Sequence, residues 1–257
     1  MNRRVIVTGA AGGFGRVIAA DLVGRGYRVG LIDRDEQRLA VLESELKDLP
    51  VGESLMLPTD LGDSQARSRA VAAVESAWGG IDAVVNTAGI GPGIRPDFFT
   101  EPIRSSEISE EDLRRSLEIN TLAPLMLCIE VLPGMRQRGW GRLVNVTTSL
   151  TTMVRNGFLT YGPSKAALEA ATSILAKECD DSGVTMNVVV PGGPADTPMV
   201  PAESRGTASL IPAEAMVDPV AYLLSDNAGG ANGIRIVASE WEAGRLPDPA
   251  SLAPVAW

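Results

Sequence analysis

The chain has 257 residues, 45% of them hydrophobic, which is enough for one large core, and its net charge of -9 argues against a nucleic-acid partner. It holds no histidine, and its two cysteines, Cys128 and Cys179, lack metal-ligand spacing, so histidine triads and histidine metal sites are excluded and no metal is expected. No uninterrupted apolar run reaches the roughly 18 to 20 residues of a bilayer span and the N-terminus shows no leader pattern, so the expectation is a cytoplasmic protein without a membrane.

Residues 3 to 8, RRVIVT, read as a β-branched strand, and an amphipathic helix begins near Gly15. The turn between them is Thr8-Gly9-Ala10-Ala11-Gly12-Gly13-Phe14-Gly15. It puts glycines where a chain must bend tightly and let a pyrophosphate approach the backbone at a helix N-terminus. Such a turn alone is often only a tight turn; the flanking strand and helix give it weight. The next strand, Tyr27 to Ile32, ends in Asp33, about 20 residues beyond the glycines, where a carboxylate can accept bonds from the adenosine ribose hydroxyls and repel a 2'-phosphate. Asp33 and Asp35 are both also candidates for the N-cap of the following helix. Position favours the ribose role, hence NAD over NADP, although Arg34 would tolerate a 2'-phosphate.

Two further apolar runs, Ser54 to Leu57 and Ile81 to Val85, lead into Pro58-Thr59-Asp60-Leu61 and Asn86-Thr87-Ala88-Gly89. A helical pattern lies between them, with Val71, Val74 and Trp78 on one face. This alternation implies an α/β fold of one doubly wound, Rossmann-like parallel sheet with helices on both faces, and ligands outside the strands' carboxyl ends, where Asp60 and Asn86 fall. The long segment 90–108, with Arg95, Phe98, Phe99 and Arg104, is either a wall of the substrate site or a packed surface loop.

An apolar strand, Leu143 to Val146, precedes a helix that carries Tyr161 and Lys165 on one face. An ammonium beside a phenol favours the phenolate; lowering a phenol's pKa by about 2 units needs roughly 3 kcal/mol. By themselves such a pair is usually a solvated helix face. Downstream come the strand MNVVV with Pro191-Gly192, a proline-rich segment 193–216 holding Arg205, a helix over 218–225 and a strand over 234–237. A proline-rich tail, 246–257, follows the single domain, 1–245.

Taken together these motifs resemble the short-chain dehydrogenase/reductase family, from about residue 3 to residue 237. Gly9, Gly13 and Gly15 match TGxxxGxG, Asp60-Leu61 the adenine-side aspartate, and Asn86-Thr87-Ala88-Gly89 the NNAG motif. Asn120 matches the active-site asparagine, Tyr161 and Lys165 match YxxxK, and Pro191-Gly192 the proline-glycine beside the nicotinamide. The serine usual thirteen residues before the tyrosine is here Thr148, with Ser149 as the alternative, and Thr197 stands one residue later than the family's threonine.

The resemblance implies an NAD-dependent oxidoreductase acting on a secondary alcohol or ketone. Tyr161 is then the acid/base, Lys165 its electrostatic partner and a donor to the nicotinamide ribose, Thr148 the holder of the substrate oxygen and Asn120 the holder of a relay water. Thr8, Gly9, Gly12, Gly13, Phe14, Gly15, Asp33, Arg34, Asp60, Leu61, Asn86, Ala88, Gly89, Pro191, Gly192 and Thr197 are assigned to the cofactor. Alternatives are an NADPH-dependent carbonyl reductase and a non-catalytic dinucleotide sensor or scaffold. The helices over 111–137 and 163–179 carry apolar faces (Leu122, Leu125, Ile129; Ala166, Ala167, Ala170, Ile174). In the resembled family such helices form subunit contacts, implying a homodimer or homotetramer, while covering the sheet is their other use.

Overall fold

The structure is a computed structural model that describes residues 3–47, 49, 51–95, 97, 98, 100–202 and 209–242. The expected tail 246–257, Phe99 and Arg205 lie outside the described residues. Seven parallel strands form one sheet in the order β3-β2-β1-β4-β5-β6-β7. They are β1 (Arg4–Thr8), β2 (Arg28–Asp33), β3 (Glu53–Pro58), β4 (Ala83–Asn86), β5 (Gly141–Val146), β6 (Val184–Val190) and β7 (Arg235–Val237). The order reverses between β1 and β4, which opens a crevice at their carboxyl ends.

Side chains on a strand alternate faces, so Val5 and Val7 of β1 enter one core cluster and Ile6 the other. The first cluster packs α1 (Gly13–Gly24) and α2 (Glu36–Leu46), with Ile18, Leu22, Leu39 and Leu42 buried. The second packs α3 (Ser64–Trp78) and, beyond α4 (Glu110–Leu117), α5 (Ala123–Arg138), with Val71, Val74, Leu127 and Met135 buried. Local chemistry sets the helix ends. Asp63 caps α3 by accepting from Gln65 N (2.8 Å) and Ala66 N (3.1 Å), and Gly139 stops α5 in the left-handed conformation (φ 66°).

The expected helix over 111–137 is not uniform: α4 and α5 are joined by a π turn, Glu118–Leu122, with Asn120 at its centre. The composite helix Glu110–Arg138 has the length and apolar composition of a membrane span. Leu127, Val131 and Met135 of that helix are buried in the core, while Leu117, Leu122, Met126 and Ile129 are exposed. Short α6 (Leu150–Met153) precedes α7 (Tyr161–Glu178), and α8 (Val217–Leu223) leads to β7.

Candidate active site

The crevice is a cleft of about 480 Å³, lined at one end by the glycine turn, Asp33, Arg34, Asp60 and Leu61, and at the other by Thr148, Tyr161 and Lys165. Gly9 has φ 64°, and a Cβ on Gly15 would lie 2.1 Å from Gly9 O, so the turn is as tight as its glycines suggested. Gly12, the N-cap of α1, has no side chain with which to bond the helix's first N–H groups. A Cβ on Gly12 would have only Gly9 O near it, at 3.5 Å, so that position is open for a ligand. A helix N-terminus with an open approach fits a pyrophosphate.

The two candidate caps separate cleanly. Asp35 caps α2 by accepting from Arg38 N at 3.0 Å. The Asp33 carboxylate accepts from Ala11 N (3.1 Å) and Asp35 N (3.1 Å) while lining the cleft, so it braces the glycine turn at that end. Arg38, which the sequence reading missed, lines the same end.

At the other end, Tyr161 opens α7 and is buried, with its ring set edge-on to Phe158 at 6.2 Å. Burial pushes its phenol up to about 12, opposed by a hydrogen bond with the Thr148 side chain. Ser149, the alternative holder of the substrate oxygen, instead caps α6 by accepting from Thr152 N at 3.3 Å. Lys165 is pulled down to about 8 by burial and donates to Val146 O at 3.0 Å. Its Nζ lies 5.9 Å from the Tyr161 ring centre. The i,i+4 spacing therefore brings the pair together as expected, but in the protein alone Thr148 is the group that favours the phenolate.

The depressed lysine has a consequence for stability. Its native value, about 8, lies below the ordinary 10.5, so holding the charged form inside costs stability in full below pH 8, and the cost fades as pH rises toward 10.5. Lys165→Met is therefore expected to raise the melting temperature by a few degrees at pH 7, with the gain shrinking between pH 8 and 10.5. Thermal unfolding followed at several pH values checks this; a destabilised variant across the whole range contradicts it.

Four assigned residues do not line the cleft. Thr8 and Asn86 lie behind it: Ala88 N donates to Thr8 Oγ1 (3.2 Å), and Asn86 Nδ2 donates to Asn145 Oδ1 (2.9 Å). Both hold strand ends together rather than facing a ligand, because strand alternation turns them inward. Gly192 (φ 99°) lets the chain turn tightly past Ser239, whose Oγ would lie 2.1 Å from a Cβ there, while its neighbour Pro191 lines the cleft. Asn120 is fully buried; its Oδ1 accepts from Ile90 N (2.8 Å) and its Nδ2 donates to Ile90 O (2.9 Å) and Ser164 Oγ (3.0 Å). Its amide thus pins the chain after β4, so its side chain is engaged by protein rather than lining the cleft.

Gly89, Ala88, Phe14 and Thr197 line the cleft, and a Cβ on Gly13 would lie 2.6 Å from Thr197 Cβ, so the 197–198 segment rests on the helix start. From segment 90–108, Ile90, Pro92 and Phe98 form part of the wall, and Phe98 meets Phe158 at 6.3 Å. Arg95 turns away to Asp97 (2.5 Å) and Glu107 (3.1 Å), and Arg104 is exposed. Thr152, Arg155 and Phe158 also line the cleft and were missed. Their only signal is membership of the short connection that must carry the chain from β5 to Tyr161.

Fold and cleft together define the doubly wound, nucleotide-binding class of α/β proteins. A family model described as short chain dehydrogenase matches residues 3–207. A NADPH-dependent aldehyde reductase-like protein of Arabidopsis thaliana chloroplasts is 32% identical over 74% of this chain and 72% of its own. A 3-oxoacyl-[acyl-carrier protein] reductase from Brucella melitensis superposes with TM-score 0.81 at 27% identity over 91% of this chain and 89% of its own. A structure of a reductase of that description, from the same organism and with bound NAD, has TM-score 0.79 at 28% identity over 91% and 88%. The chain belongs to the short-chain dehydrogenase family, and it is an oxidoreductase of that family.

Proposed function

We propose that the chain is an NAD-dependent dehydrogenase that interconverts a secondary alcohol and its ketone, with Tyr161 as general acid/base. The observation that carries this reading is the buried Tyr161 phenol, hydrogen-bonded to Thr148 and facing the same cleft as Lys165. A bound oxidised nicotinamide would supply the hydride acceptor and a positive charge in the cleft. Thr148 holds the substrate oxygen by its hydroxyl. Tyr161 as phenolate takes the proton from that oxygen during oxidation and returns it during reduction. Lys165 remains protonated below about pH 8, so at neutrality it offers a donor to a ribose hydroxyl and a cation on the phenol's side of the cleft. The α1 N-terminus and the glycines receive the pyrophosphate, and Asp33 accepts from the ribose.

The Asp33 carboxylate supports NAD. Arg34 and Arg38 at the same end, with the NADPH named for the Arabidopsis relative, favour NADP as the second reading. Asp33→Asn removes the charge yet keeps an acceptor for Ala11 N. It is expected to shift the ratio of kcat/KM values about tenfold toward NADP. Initial rates with each dinucleotide, over a panel of secondary alcohols and ketones, check both points; wild-type turnover faster with NADP, or an unmoved ratio, overturns the NAD reading.

The reading extends to a cytoplasmic homo-oligomer. Leu122, Met126 and Ile129 of the π turn and α5, and Ile174 of α7, are large apolar side chains left exposed, which supports a second copy of the chain on that face.

A further inference from the structure

Against Thr147 and Thr148 lies a charged couple that the chemistry above does not use. Glu169 stands on α7 one turn beyond Lys165, and Arg235 opens β7. Arg235 Nε lies 2.8 Å from Glu169 Oε1, with the two side chains only 16% and 11% exposed. Each then holds one residue of the same dipeptide at the end of β5. Thr147 Oγ1 donates to Glu169 Oε2 at 2.7 Å, and Arg235 Nη2 donates to Thr148 O at 2.9 Å. Thr148 passes the contact on to Tyr161 through its own hydroxyl. A buried ion pair seldom stabilises a fold more than an apolar pair of the same size, so the location of this one is what needs explaining.

We propose that Glu169 and Arg235 are positioning residues that fix the direction of the Thr148 hydroxyl and, as opposite charges in balance behind it, set the pH at which Tyr161 ionises. The proposal rests on the reading of Tyr161 as the acid/base. Other charged groups on the elements packed around Tyr161 are common to all the variants compared, with Lys165 losing its charge near pH 8 in each. They are Lys165 on α7, Arg155 before it, Arg95 and Asp97 in the wall segment, and Glu110, Glu111, Asp112, Arg114, Arg115 and Glu118 along α4 and the π turn. Of these, Arg95 pairs with Asp97 and Glu118 with Arg67, and Glu110, Glu111, Arg114 and Arg115 are exposed.

The test compares Glu169→Gln, Arg235→Met, the double variant and Arg235→Lys. An arginine does not give up its proton, so Glu169→Gln leaves an unbalanced cation that favours the phenolate, and Tyr161 titrates about one unit lower. Arg235→Met leaves an unbalanced carboxylate and moves the titration up by about as much, and the double variant returns to the wild-type value. Arg235→Lys restores the charge without the planar fork that reaches both Glu169 and Thr148, so the titration stays near wild type while kcat falls about tenfold with KM little changed.

Two readouts are used: the pH dependence of kcat/KM, and the ¹³Cζ resonances of labelled tyrosine, on the protein alone and with NAD. The chain has three tyrosines, and the Tyr161 signal is the one missing in Tyr161→Phe. The resonance reports the phenol whether or not the protein turns over. Opposite shifts in a protein whose Tyr161→Phe variant turns over like wild type therefore support the charge balance while refuting the acid/base reading on which the catalytic part stands. Shifts of the same sign in the two single variants, or no shift in Glu169→Gln with circular dichroism unchanged, overturn the proposal. Glu169→Gln and Arg235→Lys carry the test if Arg235→Met does not fold.

Discussion

Tyr161→Phe is expected to abolish turnover, lowering kcat by about 10³-fold or more, while the fold and dinucleotide affinity survive. The change deletes one oxygen. Its ring keeps the edge-on contact with Phe158 at 6.2 Å, so packing is preserved. The Thr148 hydroxyl loses its partner, which costs about 1 kcal/mol, too little to unfold a domain of this size. What disappears is the group able to accept a proton from the substrate oxygen. The chain contains no histidine to take over, and Lys165 is occupied with Val146 O. Initial rates beside a fluorescence titration with NADH separate the two effects. Turnover retained within a few-fold of wild type would remove Tyr161 from the mechanism; loss of dinucleotide binding together with turnover would mean that the cleft itself had changed.

Gly15→Ala is expected to be the most damaging small substitution in the glycine turn, destabilising the protein by about 2 to 3 kcal/mol and removing dinucleotide binding. The added Cβ would lie 2.1 Å from Gly9 O and 2.7 Å from Thr87 Oγ1. The first of these is backbone, which cannot step aside as the tip of a flexible side chain can, so α1 would have to retreat from the ends of β1 and β4. Gly12→Ala is the control. Its Cβ meets only Gly9 O, at 3.5 Å, so the melting temperature should hold while the cleft loses room and affinity falls. Thermal unfolding and a binding titration on both variants check this. Equal melting temperatures for the two would show that the turn is looser than its geometry implies.

Much of this was legible in the chain because it depends on periodicity or on spacing within one connection. Alternating Val5, Ile6 and Val7 announce a strand with two buried faces, and the glycines announce a turn whose tightness the φ of Gly9 bears out. Tyr161 and Lys165 share a face because they are one helical turn apart. Properties set by tertiary environment were not legible. The spacing of Tyr161 and Lys165 pointed to a lysine acting on a phenol; that burial pushes the phenol up and the lysine down is not written in that spacing. Thr8 and Asn86 belong to the right strand ends but the inner face, which the motif's order does not reveal. The couple of Glu169 and Arg235 joins residues far apart in sequence and carries no local pattern.

The π turn at Glu118–Leu122 also constrains how this helix can vary. A π turn is a helical turn holding one residue more than its neighbours, taken up by the flanking helix without a break. Deleting one residue there would give a regular helix, but everything on its N-terminal side would rotate by about 100° relative to α5. Ser116, which now donates to Thr160 O at 2.7 Å beside the start of α7, would swing away, as would Asn120 with its grip on Ile90. The residue that looks supernumerary is therefore the one that sets the angular phase between a core helix and the start of α7. Homologues or designs that trim this helix by a single residue would be expected to restore that phase with a compensating insertion nearby.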